Sequence, residues 1–197
     1  MKFSLTTRDY INIGVFTVLY FVVFFVAGMF GLISPGAIFL GWVVGIILDG
    51  IVIVFLLARS PKMGVLTLLG LFVALLMMLT GHPSLVLLTP VFGFIADIVA
   101  SERGFAEELQ PKRAIIAYAI LSLWFATPLL PIFYASDSYF EHLGEQVTPD
   151  YLEGMKAIFT PTTISIWAVC IVVLGLAGGW LGTKVARKHF DKAGLTR

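Results

Sequence analysis

Charge is scarce in this sequence. Only 13% of its 197 residues are charged, 59% are hydrophobic, and the mean hydropathy is +0.98. A soluble domain carries roughly 25% charged residues. A soluble core of this length has no room for so much apolar surface, so for most of the chain the solvent must be lipid. Cysteine is almost missing. The single Cys170, in an apolar run, excludes an intrachain disulfide and a cysteine metal cluster. Hydrophilic stretches long enough for a second domain are missing as well, so residues 1–197 are expected to form a single membrane domain. There is no GxxxxGK(S/T) loop, so the chain is not expected to hydrolyse ATP itself. Without HExxH, GxSxG or a Cys/His cluster of metal spacing, an enzyme is not expected. The halves show no evident inverted repeat of the kind many secondary transporters carry.

What is present is a series of apolar runs separated by clear punctuation. They cover residues 10–30, 36–57, 63–79, 84–100, 114–134 and 162–185. A bilayer core needs about 20 apolar residues per helix, so the pattern predicts an all-α integral membrane protein of about six transmembrane helices. The third and fourth runs are short and form, alternatively, a re-entrant hairpin across residues 63–100. The first run is too long for a signal-peptide core of about 7–15 residues and is expected to be a retained helix.

The basic residues predict the orientation. With the N-terminus inside, cytoplasmic segments hold Lys2 and Arg8, Arg59 and Lys62, then Arg103, Lys112 and Arg113, and finally Lys184, Arg187, Lys188, Lys192 and Arg197. Of the 13 Lys and Arg, only Lys156 falls outside. The expectation is therefore a multi-pass protein of the cell membrane with both termini cytoplasmic. Outside, residues 135–161 form the one substantial loop, and it is acidic: Asp137, Glu141, Glu145, Asp150 and Glu153. Thr148-Pro149-Asp150 is a helix-start signal, a capping hydroxyl followed by proline and an acid in the first turn. Tyr151, Leu152, Met155, Ile158 and Phe159 then approximate one face, predicting a short helix that serves as a lid over the outer mouth or as a plain connector.

Small-residue steps, Gly41/Gly45 on the second span and Gly175/Gly179 and Gly178/Gly182 on the last, predict close helix packing. They serve packing within the chain or, in the sharper reading, docking of a partner membrane protein. Asp49 and Asp97 are the acids within spans. Each must be paired, hydrated or protonated, and structural or docking roles are favoured over a proton or cation relay. His82 stands on an outer turn, before Pro83 and Ser84 where a helix begins. Free N–H groups there suit an anionic ligand group, and the imidazole suits a metal or a haem iron; an ordinary turn residue is the plainer alternative. Phe30, Trp124, Tyr134 and Trp167 lie where an outward-opening pocket would be, and suit a flat or heterocyclic ligand. Lipid packing explains each of them individually as well.

Lys2-Phe3-Ser4-Leu5-Thr6-Thr7-Arg8-Asp9-Tyr10, the Gly81-His82-Pro83 turn and Gly93-Phe94-Ile95-Ala96-Asp97-Ile98 occur in the order found in the Trep_Strep (MptD-type) group, which the chain resembles over nearly its whole length. The resemblance implies an S-component-like bundle, the substrate-binding subunit of an energy-coupling factor (ECF) importer. It would capture a vitamin or other micronutrient, haem being one alternative. Its implied partners are a membrane coupling subunit T and two ATPase subunits, in a lipid bilayer and without nucleic acid. Many such subunits dock through an Ala-xxx-Ala step on the first helix. The nearest match here is Gly14-xxx-Val18 with Thr17 adjacent, which departs from that pattern. A membrane scaffold and a stand-alone secondary transporter using Asp49 or Asp97 are the competing functions.

Overall fold

The computed structural model describes residues 5–79, 85–101 and 110–192, and the regular elements within them are helical. In chain order these are α1 (Thr7–Gly28), continued by a 3-10 turn (Met29–Leu32), α2 (Ala37–Arg59), α3 (Val65–Leu79), α4 (Leu85–Ser101) and α5 (Pro111–Ser122). A 3-10 segment (Leu123–Leu129) leads to α6 (Pro131–Tyr134), α7 (Ser136–Gly144), α8 (Pro149–Ile158) and α9 (Pro161–Lys192). Among the described residues, three segments, Thr7–Leu32, Ala37–Arg59 and Pro161–Lys188, are long and apolar enough to cross a membrane. With 15 and 17 residues, α3 and α4 are shorter apolar helices. At about 1.5 Å per residue they stop short of a hydrocarbon core of about 30 Å.

The fifth apolar run is not one helix. After Ser122 it tightens into the 3-10 segment and restarts at Pro131. Pro128 and Pro131 supply the reason. Each lacks an N–H, and each ring meets the carbonyl four residues back, so the α-helical ladder cannot run through Trp124 and Thr127. Thr127 Oγ1 instead donates to the Trp124 carbonyl at 2.6 Å.

Glycine brings the helices together. A Cβ on Gly50 would strike the Gly178 backbone, and one on Gly182 would meet Gly50 and Val54, so α2 and α9 touch backbone to backbone. Gly175 and Gly179 lie instead against Ala119, Ser122 and Ile115 of α5, so α9 is wedged between α2 and α5. On α2, Gly41 and Gly45 meet Ala27 of α1. All these small-residue steps are thus occupied inside the chain, where close approach replaces the missing hydrophobic drive.

At the end of the bundle where α1 begins, polar groups tie the chain together. The Asp9 carboxylate accepts from the Thr6 backbone N–H at 2.7 Å and from Lys62 Nζ at 2.6 Å. Asn12 Nδ2 donates to Ser60 Oγ at 3.1 Å. Gly64 turns the chain into α3 with φ +94°, a conformation that favours glycine. Asp97, from α4, then receives the opening N–H groups of that helix: Gly64 at 3.0 Å, Leu66 at 3.0 Å and Thr67 at 2.8 Å, with the Thr67 hydroxyl at 2.6 Å. A carboxylate at a helix N-terminus satisfies free donors and complements the helix dipole. Asp97 is therefore a structural cap supplied from a neighbouring helix.

Candidate functional site

The opposite end is built from aromatic rings. Thr148 opens α8 as its sequence predicts, its Oγ1 accepting from the Tyr151 N–H at 3.4 Å. The helix α7 before it carried no such signal. Tyr151 donates its hydroxyl to the Gly31 carbonyl at 2.8 Å, Gly154 lies against Pro35, and Ile158 reaches Gly36. These contacts lay α8 across the turn between α1 and α2. Partial burial pushes the Tyr151 phenol above the usual tyrosine range.

Beneath α8, the residue that follows it, Phe159, is buried among rings from two other helices. It stacks on Phe39 at 5.1 Å and 17°, and Phe39 meets Trp167 edge-on at 5.0 Å and 73°. Trp167 lies nearly parallel to Trp42 at 5.9 Å and 29°, and Trp42 returns to Phe159 at 6.4 Å and 86°. Offset-stacked and edge-on pairs at these separations are the favourable ring geometries. The circuit is closed and apolar except for the two indole N–H groups. Trp167 Nε1 is buried without any hydrogen-bond partner among the described residues.

A second aromatic group forms on α1 and the fifth run. Trp124 Nε1 donates to the Tyr20 hydroxyl at 2.6 Å, and the Trp124 ring meets Phe24 at 4.9 Å and Phe125 at 4.8 Å. Close by, Asp49 on α2 is 0% exposed, and neither carboxylate oxygen has a hydrogen-bond partner among the described residues. Tyr20 and Tyr118 stand within electrostatic reach of it. The Tyr118 hydroxyl donates instead to the Ile46 carbonyl. Asp49 and Asp97 thus have opposite fates. One is fully satisfied by a helix end, the other is enclosed with no donor.

The residues singled out from the sequence do not converge. Trp167 belongs to the first aromatic group and Trp124 to the second. Tyr134 is 75% exposed, and Phe30 is 40% exposed on the 3-10 turn. His82 and Ser84 lie outside the described residues. Gly14 has open space where a Cβ would be, and Val18 is exposed, so both belong to the outward face of α1; Thr17 is buried and faces inward. Two members of the first group, Phe39 and Trp42, carried no functional signal, and Phe159, expected on the apolar face of the lid helix, stands just past the end of α8. Phe39 and Trp42 are three residues apart and so share a helical face, a spacing equally usual on a lipid-facing side. Among α7 and α8, an open groove of about 630 Å³ is lined by Asp137, Phe140, Glu141, Leu152 and Lys156 among others.

Residues 7–192 match the family described as "Hypothetical bacterial integral membrane protein (Trep_Strep)". No curated protein and no solved structure matches the chain. From the first turn of α1 to the last of α9, then, this apolar helical bundle belongs to the Trep_Strep family of bacterial integral membrane proteins.

Proposed function

We propose that the protein is a substrate-binding S component of an ECF-type importer, capturing a vitamin-like micronutrient at the end covered by α8. In this reading the end bearing Arg59, Lys62, Lys112 and Lys184 is cytoplasmic, as the bias of basic residues favours. It would face a coupling subunit and two ATPases, since no ATP-binding loop is found in the chain. The observation that carries the reading is the ring cluster under a short helix, with Trp42, Phe159 and Trp167 buried, Phe39 partly buried, and a donor left over at Trp167 Nε1. Apolar walls with sparse, placed polar groups are the usual composition of a small-molecule site. The decisive experiment is mass spectrometry of small molecules released by denaturing the purified protein. A stoichiometric species, lost in Trp167→Ala, is the expected result. Empty preparations, together with no thermal shift across a vitamin panel, would end the proposal.

Asp49 favours a second reading, a stand-alone secondary transporter. An ionised carboxylate enclosed without a donor costs several kcal/mol, and such groups commonly mark ion or proton pathways. Uptake into vesicles that contain no ATPase, abolished by Asp49→Asn, would support this reading over the first.

A further inference from the structure

We infer that Phe159 occupies the place of the ligand: the ring cluster of Phe39, Trp42 and Trp167 accepts a flat heteroaromatic ring bearing a hydrogen-bond acceptor, and Phe159 must withdraw to admit it. The inference rests on the importer reading for its biological setting, but its physical basis is separate. Phe159 is the one ring of the four that does not come from a long helix. It follows the last residue of α8 with φ −87° and ψ 70°, outside helical geometry, while Phe39, Trp42 and Trp167 are fixed on α2 and α9. One bond crosses Phe159, from the Thr160 N–H to the Ile158 carbonyl at 3.0 Å, and must open for the ring to move; beyond it each side is closed by bonds of its own. The Phe159 N–H ends α8 on the Met155 carbonyl at 2.8 Å. Thr160 starts α9, its Oγ1 accepting from the Thr163 N–H at 3.2 Å and its carbonyl from the Ile164 N–H at 2.9 Å. Rotation at Phe159 and Thr160 therefore moves the ring without dismantling α9. The tether of α8 to the α1–α2 turn includes one hydrogen bond, from Tyr151 to Gly31, and van der Waals contacts at Pro35 and Gly36.

The chemistry of the ligand follows from what Phe159 fails to supply. A benzene ring satisfies the apolar faces of Phe39 and Trp42 but offers no acceptor to the buried Trp167 indole. A heterocycle with a ring nitrogen or carbonyl supplies both, since stacking needs only a π-face and a buried donor is costly until it is paired. The cluster holds no charged side chain, so the part of the ligand lodged there is uncharged.

Quinoxaline and naphthalene make a matched pair of probes, alike in shape and differing in two ring nitrogens. Binding to the purified full chain is read by tryptophan fluorescence and by calorimetry. Phe159→Ala is expected to tighten quinoxaline binding about tenfold over the unsubstituted protein, and Phe159→Leu, which keeps most of the apolar volume, to tighten it less. Quinoxaline is expected to exceed naphthalene about fivefold or more in Phe159→Ala, and that preference to vanish when Trp167→Phe is added. No gain in either Phe159 variant, or a preference that survives Trp167→Phe, would overturn the inference. Success here, with no ligand carried by the native protein and no thermal shift across the vitamin panel, would leave the slot standing and remove the importer reading. A native ligand whose binding ignores Phe159 and Trp167 would do the reverse.

Discussion

The two ends of the bundle are held by different physics. Where α1 begins, Asp9, Lys62, Asn12, Ser60 and Asp97 form directed, largely charge-assisted bonds that join α1, the α2–α3 turn, α3 and α4. Where α8 lies, ring contacts and one phenol–carbonyl bond do the holding, and an indole N–H is left unpaired. Directed bonds to charged groups are short-ranged and fix geometry, whereas ring contacts tolerate sliding and exchange of partners. The difference makes one end an anchor and the other a more loosely held cover, the arrangement that the proposed binding role would use.

The largest test of that contrast is Asp97→Ala. It strands three backbone N–H groups and the Thr67 hydroxyl, and should destabilise the protein by about 3 kcal/mol, read as a lower midpoint of unfolding by SDS in mixed micelles. Asp97→Asn, which keeps an acceptor, should lose less. Next comes the seam that joins the two ends: Gly50→Ala forces a methyl onto the Gly178 backbone and should cost about 2 kcal/mol by the same assay. Tyr151→Phe removes the hydrogen bond in the tether of α8 and should cost about 1 kcal/mol. Its signature is regional: amide exchange should accelerate in α8 and stay unchanged at the start of α3. If exchange rose equally at both ends, the contrast between anchor and cover would be wrong. The smallest effect is expected for Lys62→Ala. Lys62 is 31% exposed, so its ion pair with Asp9 should contribute only about 0.5 kcal/mol.

Much of this fold was legible beforehand where the signal is local. Apolar runs marked α1 to α4 within a few residues and α9 except for its last seven residues, and Thr148-Pro149 marked the start of α8. The break in the fifth run was legible too, since Pro128 and Pro131 stand in the sequence, yet apolar continuity across 114–134 outweighed them. The candidate site was far less legible. Trp167 was singled out, but Trp124 and Tyr134, chosen on the same grounds, stand elsewhere, and Phe39 and Trp42 were missed. In a membrane helix an aromatic ring is at home in lipid and in the core alike, so composition does not separate the two.

The sequence by itself determined that the chain is a membrane protein, where most of its helices begin and end, and which residues are charged at which end of each span. Those properties follow from the solvent each residue prefers and from capping chemistry within a few residues along the chain. Only the tertiary structure decided that Asp97 caps another helix while Asp49 is enclosed without a donor, and that Phe159 meets Phe39, Trp42 and Trp167. Asp97 lies about thirty residues from the N–H groups it accepts, and Phe159 well over a hundred from Phe39. Such partners are chosen by how α2, α4 and α9 approach one another, and glycines at the crossings, rather than any motif, set how closely they do.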